Sequence, residues 1–175
     1  MMDLGIISDI SNLKIIAAQP NGCSPIVDAY KKDSNDILPV ELPDTIAKSL
    51  AIGDPGDGLY VLKRLKQFHG IGEKVTDNEI KNAILLLAKT EGIFTEPAGG
   101  VSVGVLKKLF EEGKIDKDEK IVCYVTGNGL KTTESIINLL PSLNPVKPDV
   151  RLISTLINWT NGYKSKSGVN YIWQI

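Results

Sequence analysis

The sequence lacks the residues that several kinds of active site require. Its 175 residues include one histidine, His69, and two cysteines, Cys23 and Cys123, a hundred positions apart. No metal site has that spacing, so we predict two reduced thiols packed among apolar neighbours. A lone histidine beside Gly70 suits a surface or helix-capping position. The Ser-His and Cys-His pairs of most nucleophilic hydrolases are therefore not expected here.

The sequence also lacks an excess of charge and any long apolar run. Twenty Lys and Arg face 21 Asp and Glu, for a net charge of −1. Neither nucleic acid nor an anionic membrane surface is an expected partner. Runs such as 84–88 are too short to span a bilayer, and the N-terminus has no basic region or long apolar stretch typical of a secretory signal. We expect a cytoplasmic protein.

What the sequence does contain is an alternation of apolar runs and helical patterns. Residues 14–19 and 121–125 are short apolar runs, and we predict both as buried strands. A capping box at Thr76–Glu79 begins a helix that Gly92 ends, and Pro97 begins another. Further helices are predicted over 26–32, 58–69 and 132–140. Strands that alternate with helices predict an α/β fold with parallel pairing.

Two strands are too few for a complete parallel sheet. Such sheets are covered by helices on both faces and normally contain more strands. Residues 1–145 therefore resemble part of a larger α/β domain, incomplete as a stand-alone unit. Prolines 141, 145 and 148 then interrupt regular structure. We assign no role to the tail, residues 146–175.

Three stretches suggest a binding site, and each has a plainer explanation. Thr126 to Gly129 follow the predicted strand 121–125, where ligands of α/β sheets gather, but the glycines also suit a simple turn. Glu96 precedes Pro97 at a helix start, where the helix dipole stabilises a carboxylate with or without a ligand. The loop 52–58 is rich in glycine and proline, and it either borders a site or packs as a turn.

Four motifs resemble those of the threonine synthase family, and they occur in the family's order. They are Gln19-Pro20-Asn21-Gly22, Ala51-Ile52-Gly53-Asp54-Pro55, Glu91 to Gly100, and Val125-Thr126-Gly127-Asn128-Gly129-Leu130-Lys131. Together they cover roughly residues 4 to 145. None of them would be specific alone.

This resemblance implies a fold-type II enzyme that uses pyridoxal 5'-phosphate. The family converts O-phosphohomoserine and water to L-threonine and phosphate, a lyase reaction of amino-acid biosynthesis. Its Schiff-base lysine lies in a Ser-Phe-Lys-Asp motif, and a Gly/Asn-rich loop binds the cofactor phosphate. Neither feature occurs here, since no Phe-Lys pair exists. We therefore expect the C-terminal portion of the large domain, with no catalytic residue of its own and inactive alone.

The resemblance also implies roles for individual residues. Thr126 would face the pyridine nitrogen of the cofactor, and Gly127 would let the ring lie against the backbone. A neutral hydroxyl suits an unprotonated ring nitrogen, whereas a carboxylate would favour the pyridinium form. Glu96, Gly53 and Asp54 would border the active site. The partner of the chain would be the N-terminal portion of the fold, expected before Met1, or a second copy of the chain.

Two other functions stay open. The chain resembles part of a related fold-type II enzyme, such as cysteate synthase or threonine dehydratase, although the Gly-Asn-Gly-Leu-Lys stretch favours threonine synthase. It also fits a non-catalytic homologue that pairs with or regulates a complete subunit. An upstream reading frame that encodes the Ser-Phe-Lys-Asp portion would distinguish a split enzyme from such a module.

A labelling experiment tests the expected absence of the Schiff-base lysine. The purified chain, mixed with pyridoxal phosphate and reduced with borohydride, should show slow labelling scattered over many lysines. Peptide mass spectrometry measures the distribution. Stoichiometric labelling of one lysine would show that the catalytic lysine lies within these 175 residues.

Overall fold

A computed structural model describes residues 4–6, 9, 12–141 and 147–152. The chain divides into two units, Met1–Leu139 and Leu140–Ile175. In the first unit the elements are β1 (Ile16–Pro20), α1 (Pro25–Lys31), a 3-10 turn (Lys48–Leu50), α2 (Gly58–Gln67), β2 (Ile71–Val75), α3 (Asp77–Glu91), α4 (Pro97–Glu111) and three 3-10 turns (Gly129–Lys131, Thr133–Ser135, Ile137–Leu139). Most of the tail expected from residue 146 lies outside the described residues.

The two strands form a parallel pair. Their register runs from Ile16 opposite Ile71 to Pro20 opposite Val75. Helices α1 and α2 make the crossover between them, as a parallel connection requires. The predicted α/β class with parallel pairing is therefore confirmed, and the predicted strand 14–19 is displaced only slightly.

Helices cover both faces of this pair. Gly72 of β2 faces Tyr30 of α1, since a side chain at position 72 would touch the tyrosine ring. The opposite face packs against α4. Its core residues are all apolar: Ala47, Val75, Ile80, Ile84, Val101, Val105, Leu109, Ile115 and Ile136. Side chains alternate between the faces of a strand, so the unit has the layers of a doubly wound α/β domain.

Local sequence signals account for α3 and α4. The Thr76 hydroxyl accepts a hydrogen bond from the Glu79 amide at 3.3 Å, and Glu79 Oε2 accepts one from the Thr76 amide at 2.7 Å. Gly92 ends α3 in the left-handed region, with φ of 68°. Pro97 occupies the first turn of α4. Because a helix end needs partners for its free N–H and C=O groups, these residues specify the boundaries.

The predicted strand 121–125 and the predicted helix 132–140 are wrong. In the described part of the chain, the only sheet consists of β1 and β2, and residues 121–126 have no ladder. The helix is replaced by short 3-10 turns. Val122 and Tyr124 are 80% and 77% exposed. A strand forms only where a neighbouring backbone offers hydrogen bonds, and β-branched composition does not supply them.

Strand β2 was missed because its composition is unusual for a buried strand. Gly72, Glu73 and Lys74 form its centre, and these residue types are depleted in strands. Glu73 is nevertheless only 3% exposed. Its burial is possible because Lys31 Nζ lies 2.7 Å from Oε1, with two more lysine ammonium groups close by. Pairing of charges between distant segments is not visible in the local sequence.

At the outer edge of β2, side chains bond to the backbone groups of Lys74. Backbone groups of successive strand residues point to opposite edges of the strand. The Ile71 amide donates to the Ile15 carbonyl, and the Val75 carbonyl accepts from the Asn21 amide, so the odd-numbered residues of β2 face β1. The backbone amide and carbonyl of Lys74 therefore point away from β1. Its amide donates to Glu73 Oε1 at 2.9 Å, and its carbonyl accepts from Lys108 Nζ at 3.0 Å.

The Glu73 carboxylate is strongly acidic. Burial by itself would raise its pKa, but hydrogen bonds from Lys31, the Lys74 amide and Lys108 outweigh this and lower the pKa from 4.5 to about 2. Lys108 and Lys114 lie 3.3 and 3.4 Å from its oxygens. The ionised form therefore stabilises the fold above pH 4.5, and this contribution is lost as the pH falls toward 2.

We expect Glu73→Gln to lower the free energy of unfolding by up to roughly 3 kcal/mol at pH 7, the equivalent of the pKa difference. Below pH 4.5 the unchanged chain loses this stabilisation, so the gap between the two proteins should narrow toward pH 2. Urea unfolding at several pH values measures it. Glu111→Gln is the control, because Glu111 pairs with Lys107 on the surface and should cost about 0.5 kcal/mol or less. Equal losses for both variants would contradict the assignment.

Other sequence expectations concern the cysteines and the membrane. Both cysteines are free, Cys23 is buried and Cys123 is half-buried, and burial raises the pKa of each thiol. The predicted burial is confirmed for Cys23, whereas Cys123 is only partly covered. Among the described residues, no three or more metal-binding side chains are clustered. No helix in the same part of the chain has the length and apolarity needed to cross a membrane.

Candidate functional site

The candidate site is a junction between two backbone segments far apart in sequence. Thr95 and Asn128 form an antiparallel bridge. The Gly129 amide donates to the Phe94 carbonyl at 3.0 Å, and the Glu96 amide donates to the Gly127 carbonyl at 3.4 Å. The structure thereby joins two of the four sequence motifs, the start of α4 and the Thr-Gly-Asn-Gly stretch. We call residues 94–97 with 126–129 the junction.

Thr95 holds the junction together, and sequence reasoning did not single it out. The residue is 1% exposed. Its hydroxyl lies 3.2 Å from the Gly127 carbonyl, 3.4 Å from the Thr126 carbonyl and 3.3 Å from that of Glu96. One hydroxyl proton is thus shared among three acceptors. A usable signal was Gly99, four residues later, where an added Cβ would lie 2.0 Å from the Thr95 hydroxyl oxygen.

Glu96 lies at the entrance to α4, directly before Pro97. Its side chain is only 12% exposed, and Oε2 is 3.4 Å from Lys131 Nζ. The carboxylate therefore has two sources of stabilisation, the helix dipole and an ion pair with a largely exposed lysine. These two interactions stabilise the Glu96 carboxylate without any ligand. Whether Glu96 also faces a ligand stays a prediction.

Gly127 has a backbone conformation and surroundings that exclude a side chain. Its φ is +74°, in the left-handed region. A Cβ there would lie 2.1 Å from Glu96 Cδ and 2.2 Å from Glu96 Oε1. The glycine therefore leaves room for the carboxylate of Glu96. The contact with Glu96 by itself accounts for a glycine at this position. The approach of a cofactor ring to Gly127 stays a prediction.

Thr126 has a fixed backbone and an exposed side chain. Its carbonyl accepts from Thr95, while no hydrogen bond engages its hydroxyl within the described part of the chain. Asn128, on the other side of Gly127, accepts from the Leu130 amide at 2.9 Å and thereby begins the next turn. Thr126 thus offers a hydroxyl to solvent from a rigid position.

The junction lies at the carboxyl end of the sheet. Lys14, before β1, forms a 3.3 Å ion pair with Glu119, before residues 121–125. Both segments then line one cavity of about 270 Å³. We infer from these two contacts that the segments run in the same direction, so that the residues that follow them, Pro20 and Thr126, lie toward the same edge. This edge is where ligands of open α/β sheets bind.

Gly53 and Asp54 lie in the loop 52–58, and their place at the border of the site stays a prediction. Gly53 accepts a hydrogen bond from the Val40 amide at 3.0 Å, and an added Cβ would lie 2.0 Å from the Val40 carbonyl oxygen. This close packing supports the turn explanation for the loop 52–58. Asp54 is exposed. The structure brings Glu96, Thr126 and Gly127 together, but the described contacts of the loop do not reach them.

Parallel strands with helices on both faces place the chain in the α/β class. Residues 4–127 match the family described as "Pyridoxal-phosphate dependent enzyme". The chain belongs to this family. The fold-type II class expected from the sequence is confirmed.

Threonine synthases are among the similar curated proteins. The threonine synthase of Methanocaldococcus jannaschii is 40% identical over 153 residues, which cover 87% of this chain and 37% of that protein. The threonine synthase of Methanosarcina acetivorans is 37% identical over 144 residues, covering 82% and 36%. The resemblance to this group is thus confirmed. The chain spans less than two-fifths of the length of these relatives.

A solved structure shows the same fold at low identity. The fungal L-serine ammonia-lyase from Rhizomucor miehei superimposes with a TM-score of 0.52 and 16% identity, covering 69% of this chain and 39% of that protein. At this identity the likeness concerns the fold alone.

The collision between position 127 and Glu96 can be measured by stability. Gly127→Ala should lower the free energy of unfolding by roughly 2–4 kcal/mol, from about 1 kcal/mol of backbone strain plus the cost of overpacking. Gly113→Ala is the matched control, because Gly113 also has a positive φ, +64°, but its Cβ would meet nothing within 4 Å. It should cost about 1 kcal/mol.

In the background of Glu96→Ala, Gly127→Ala should cost only about 1 kcal/mol, as Gly113→Ala does, because the collision is removed. Denaturant unfolding of all the variants gives the coupling energy between the two positions. Additive losses would show that Glu96 does not occupy the space beside Gly127.

Proposed function

We propose that this chain supplies the cofactor-binding edge of a threonine synthase, which converts O-phosphohomoserine and water to L-threonine and phosphate. The observation that carries the proposal is the junction, where residues of two family motifs meet at the carboxyl edge of the sheet. Support also comes from 40% identity to a threonine synthase over 153 residues. The complete activity requires the rest of the fold.

The residues of the junction suit pyridoxal phosphate. Thr126 presents a hydroxyl that no described contact occupies, on a backbone that Thr95 holds in place. When bound, the cofactor supplies a conjugated ring that withdraws electrons from the substrate. The Thr126 hydroxyl would hold the ring nitrogen by donating a hydrogen bond to it, and a neutral donor of this kind would moderate that withdrawal.

Glu96 and Lys131 give the junction its charges. Their 3.4 Å ion pair leaves the Lys131 side chain 68% exposed, beside a nearly buried carboxylate. We assign Glu96 to the border of the substrate site, where it holds Lys131 in place through the pair. Lys131 offers an ammonium group that suits an anionic substrate. Thr95, which is buried, keeps both segments in register through its hydroxyl.

The test of the cofactor assignment is Thr126→Val in the enzyme assembled with the remaining portion of a threonine synthase. Valine keeps the branched shape but removes the hydroxyl, and an unpaired buried acceptor costs about 1–3 kcal/mol. Because the electronic demand is greatest in the transition state, turnover should fall roughly ten- to hundredfold with little change in KM. Phosphate release from O-phosphohomoserine measures it.

Thr126→Ser is the control, since it restores the hydroxyl and should recover most of the turnover and the cofactor's absorbance spectrum. Wild-type turnover and spectrum in Thr126→Val would remove Thr126 from the cofactor site. The same assembled enzyme should be assayed with serine and threonine. Ammonia release from these, without activity on O-phosphohomoserine, would favour a dehydratase instead.

A further inference from the structure

Thr126 is held in place by a single hydrogen bond. Its carbonyl accepts from the Thr95 hydroxyl at 3.4 Å, and no other hydrogen bond to Thr126 exists within the described part of the chain. The next residue, Gly127, has a φ of +74°, and a glycine does not enforce this conformation by itself. The direction in which Thr126 presents its side chain therefore depends on the residues around it, and above all on Thr95.

The backbone contacts of the junction do not require a threonine at position 95. The bridge between Thr95 and Asn128 and the bond from the Glu96 amide to the Gly127 carbonyl use main-chain groups that every residue except proline carries. What the Thr95 hydroxyl adds is the bond to the Thr126 carbonyl and a second bond to the Gly127 carbonyl, at 3.2 Å. The side chain of Thr95 thus acts on Thr126, which the bridge does not reach.

Burial makes this hydroxyl an effective constraint. Thr95 is 1% exposed, so its hydroxyl has no access to water and must bond to the carbonyls around it. Those carbonyls belong to Glu96, Thr126 and Gly127. All of them are residues of the junction, so one buried group connects its two segments at a single point.

Gly99 leaves the room that the Thr95 side chain occupies. A Cβ added at position 99 would lie 2.0 Å from Thr95 Oγ1 and 3.0 Å from Thr95 Cβ, closer than unbonded atoms approach. Gly99 belongs to α4, and within a helix glycine is less favourable than alanine. The need to seat the Thr95 hydroxyl accounts for a glycine at this position.

We propose that Thr95 is a positioning residue, whose buried hydroxyl fixes the direction in which Thr126 presents its own hydroxyl to the cofactor ring. Thr95 acts on the reaction only through Thr126. The inference rests on the proposed function for the role of Thr126, whereas the constraint on the Thr126 backbone can be tested in this chain alone.

The first experiment measures backbone motion by NMR in the 175-residue chain without any cofactor. Thr95→Val removes the hydroxyl, so the amide order parameters of Thr126 and Gly127 should fall from about 0.85, typical of rigid backbone, to below about 0.6. Thr95→Ser keeps a hydroxyl and should retain the values of the unchanged chain. The amides of α3 report whether the fold is intact. Unchanged order parameters in folded Thr95→Val, or values below about 0.6 in the unchanged chain, would overturn the proposal.

Gly99→Ala displaces the hydroxyl without removing it, and it decides the question if Thr95→Val does not fold. The added methyl group pushes the Thr95 side chain away, so Thr126 and Gly127 should show the same loss of order. Gly104→Ala is the matched control, because it lies in the same helix and its Cβ would meet its nearest neighbours at 3.5 Å, an ordinary contact. Equal order parameters in Gly99→Ala and Gly104→Ala would contradict the constraint.

The second experiment uses the enzyme assembled with the remaining portion of a threonine synthase. Thr95→Val should lower turnover per bound cofactor at least tenfold with KM within twofold, and it should shift the cofactor's absorbance as Thr126→Val does. Because Thr95 acts through Thr126, adding Thr95→Val to Thr126→Val should lower turnover by less than a further twofold. Thr95→Ser should recover most of the turnover.

Losses that multiply in the double variant would show that Thr95 acts independently of Thr126 and overturn the proposal. A role in folding alone would reduce the amount of bound cofactor but leave turnover and absorbance per bound cofactor unchanged, and this result would also overturn it. An assembled enzyme that is inactive on O-phosphohomoserine, together with the expected loss of order in Thr95→Val, would contradict the proposed function and support the constraint of Thr95 on Thr126.

Discussion

A parallel strand needs hydrogen-bonding partners along both edges and apolar cover on both faces, and this requirement shapes the whole unit. Strand β2 pairs with β1 on one edge, and on the other Glu73 and Lys108 bond to the backbone groups of Lys74. The lysines that surround Glu73 come from α1, α4 and the segment after α4. One buried carboxylate therefore ties both helical layers to the sheet. Charged side chains at such an edge also prevent another strand from joining it.

The site follows from the same geometry. Segments that run in parallel from the Lys14–Glu119 pair end at one edge, so the residues after them lie close to each other. There, the buried hydroxyl of Thr95 and the bridge to Asn128 hold the Thr-Gly-Asn-Gly stretch against the start of α4. Glu96 fills the space that Gly127 leaves open. Thr126 is thus presented to solvent by a rigid backbone, which is the arrangement that a binding site requires.

The lack of a neighbouring strand explains why residues 121–125, a segment of strong strand composition, form no ladder in the described part of the chain. Val122 and Tyr124 are exposed because no neighbouring backbone reaches them in this chain. The relatives are more than twice as long. A missing neighbour therefore explains both the small sheet and the exposed apolar side chains around residues 121–125.

Local chemistry in the sequence was enough for helices α3 and α4 and for the motifs. The Thr76–Glu79 capping box, Gly92 and Pro97 act on groups within a few residues, so they could be recognised without any neighbour. The motifs around Glu96 and Thr126 also pointed to an α/β enzyme that uses a cofactor.

Contacts between distant segments decided the rest. Burial of Glu73 depends on lysines 35 to 42 positions away, so β2 escaped recognition. Thr95 gains its importance from carbonyls 31 and 32 positions later. Residues 121–125 lack a ladder although their composition favours one. Hydrogen bonds and ion pairs of this kind form only when the chain is folded, and a strand depends on them more than a helix, whose backbone bonds are satisfied within itself.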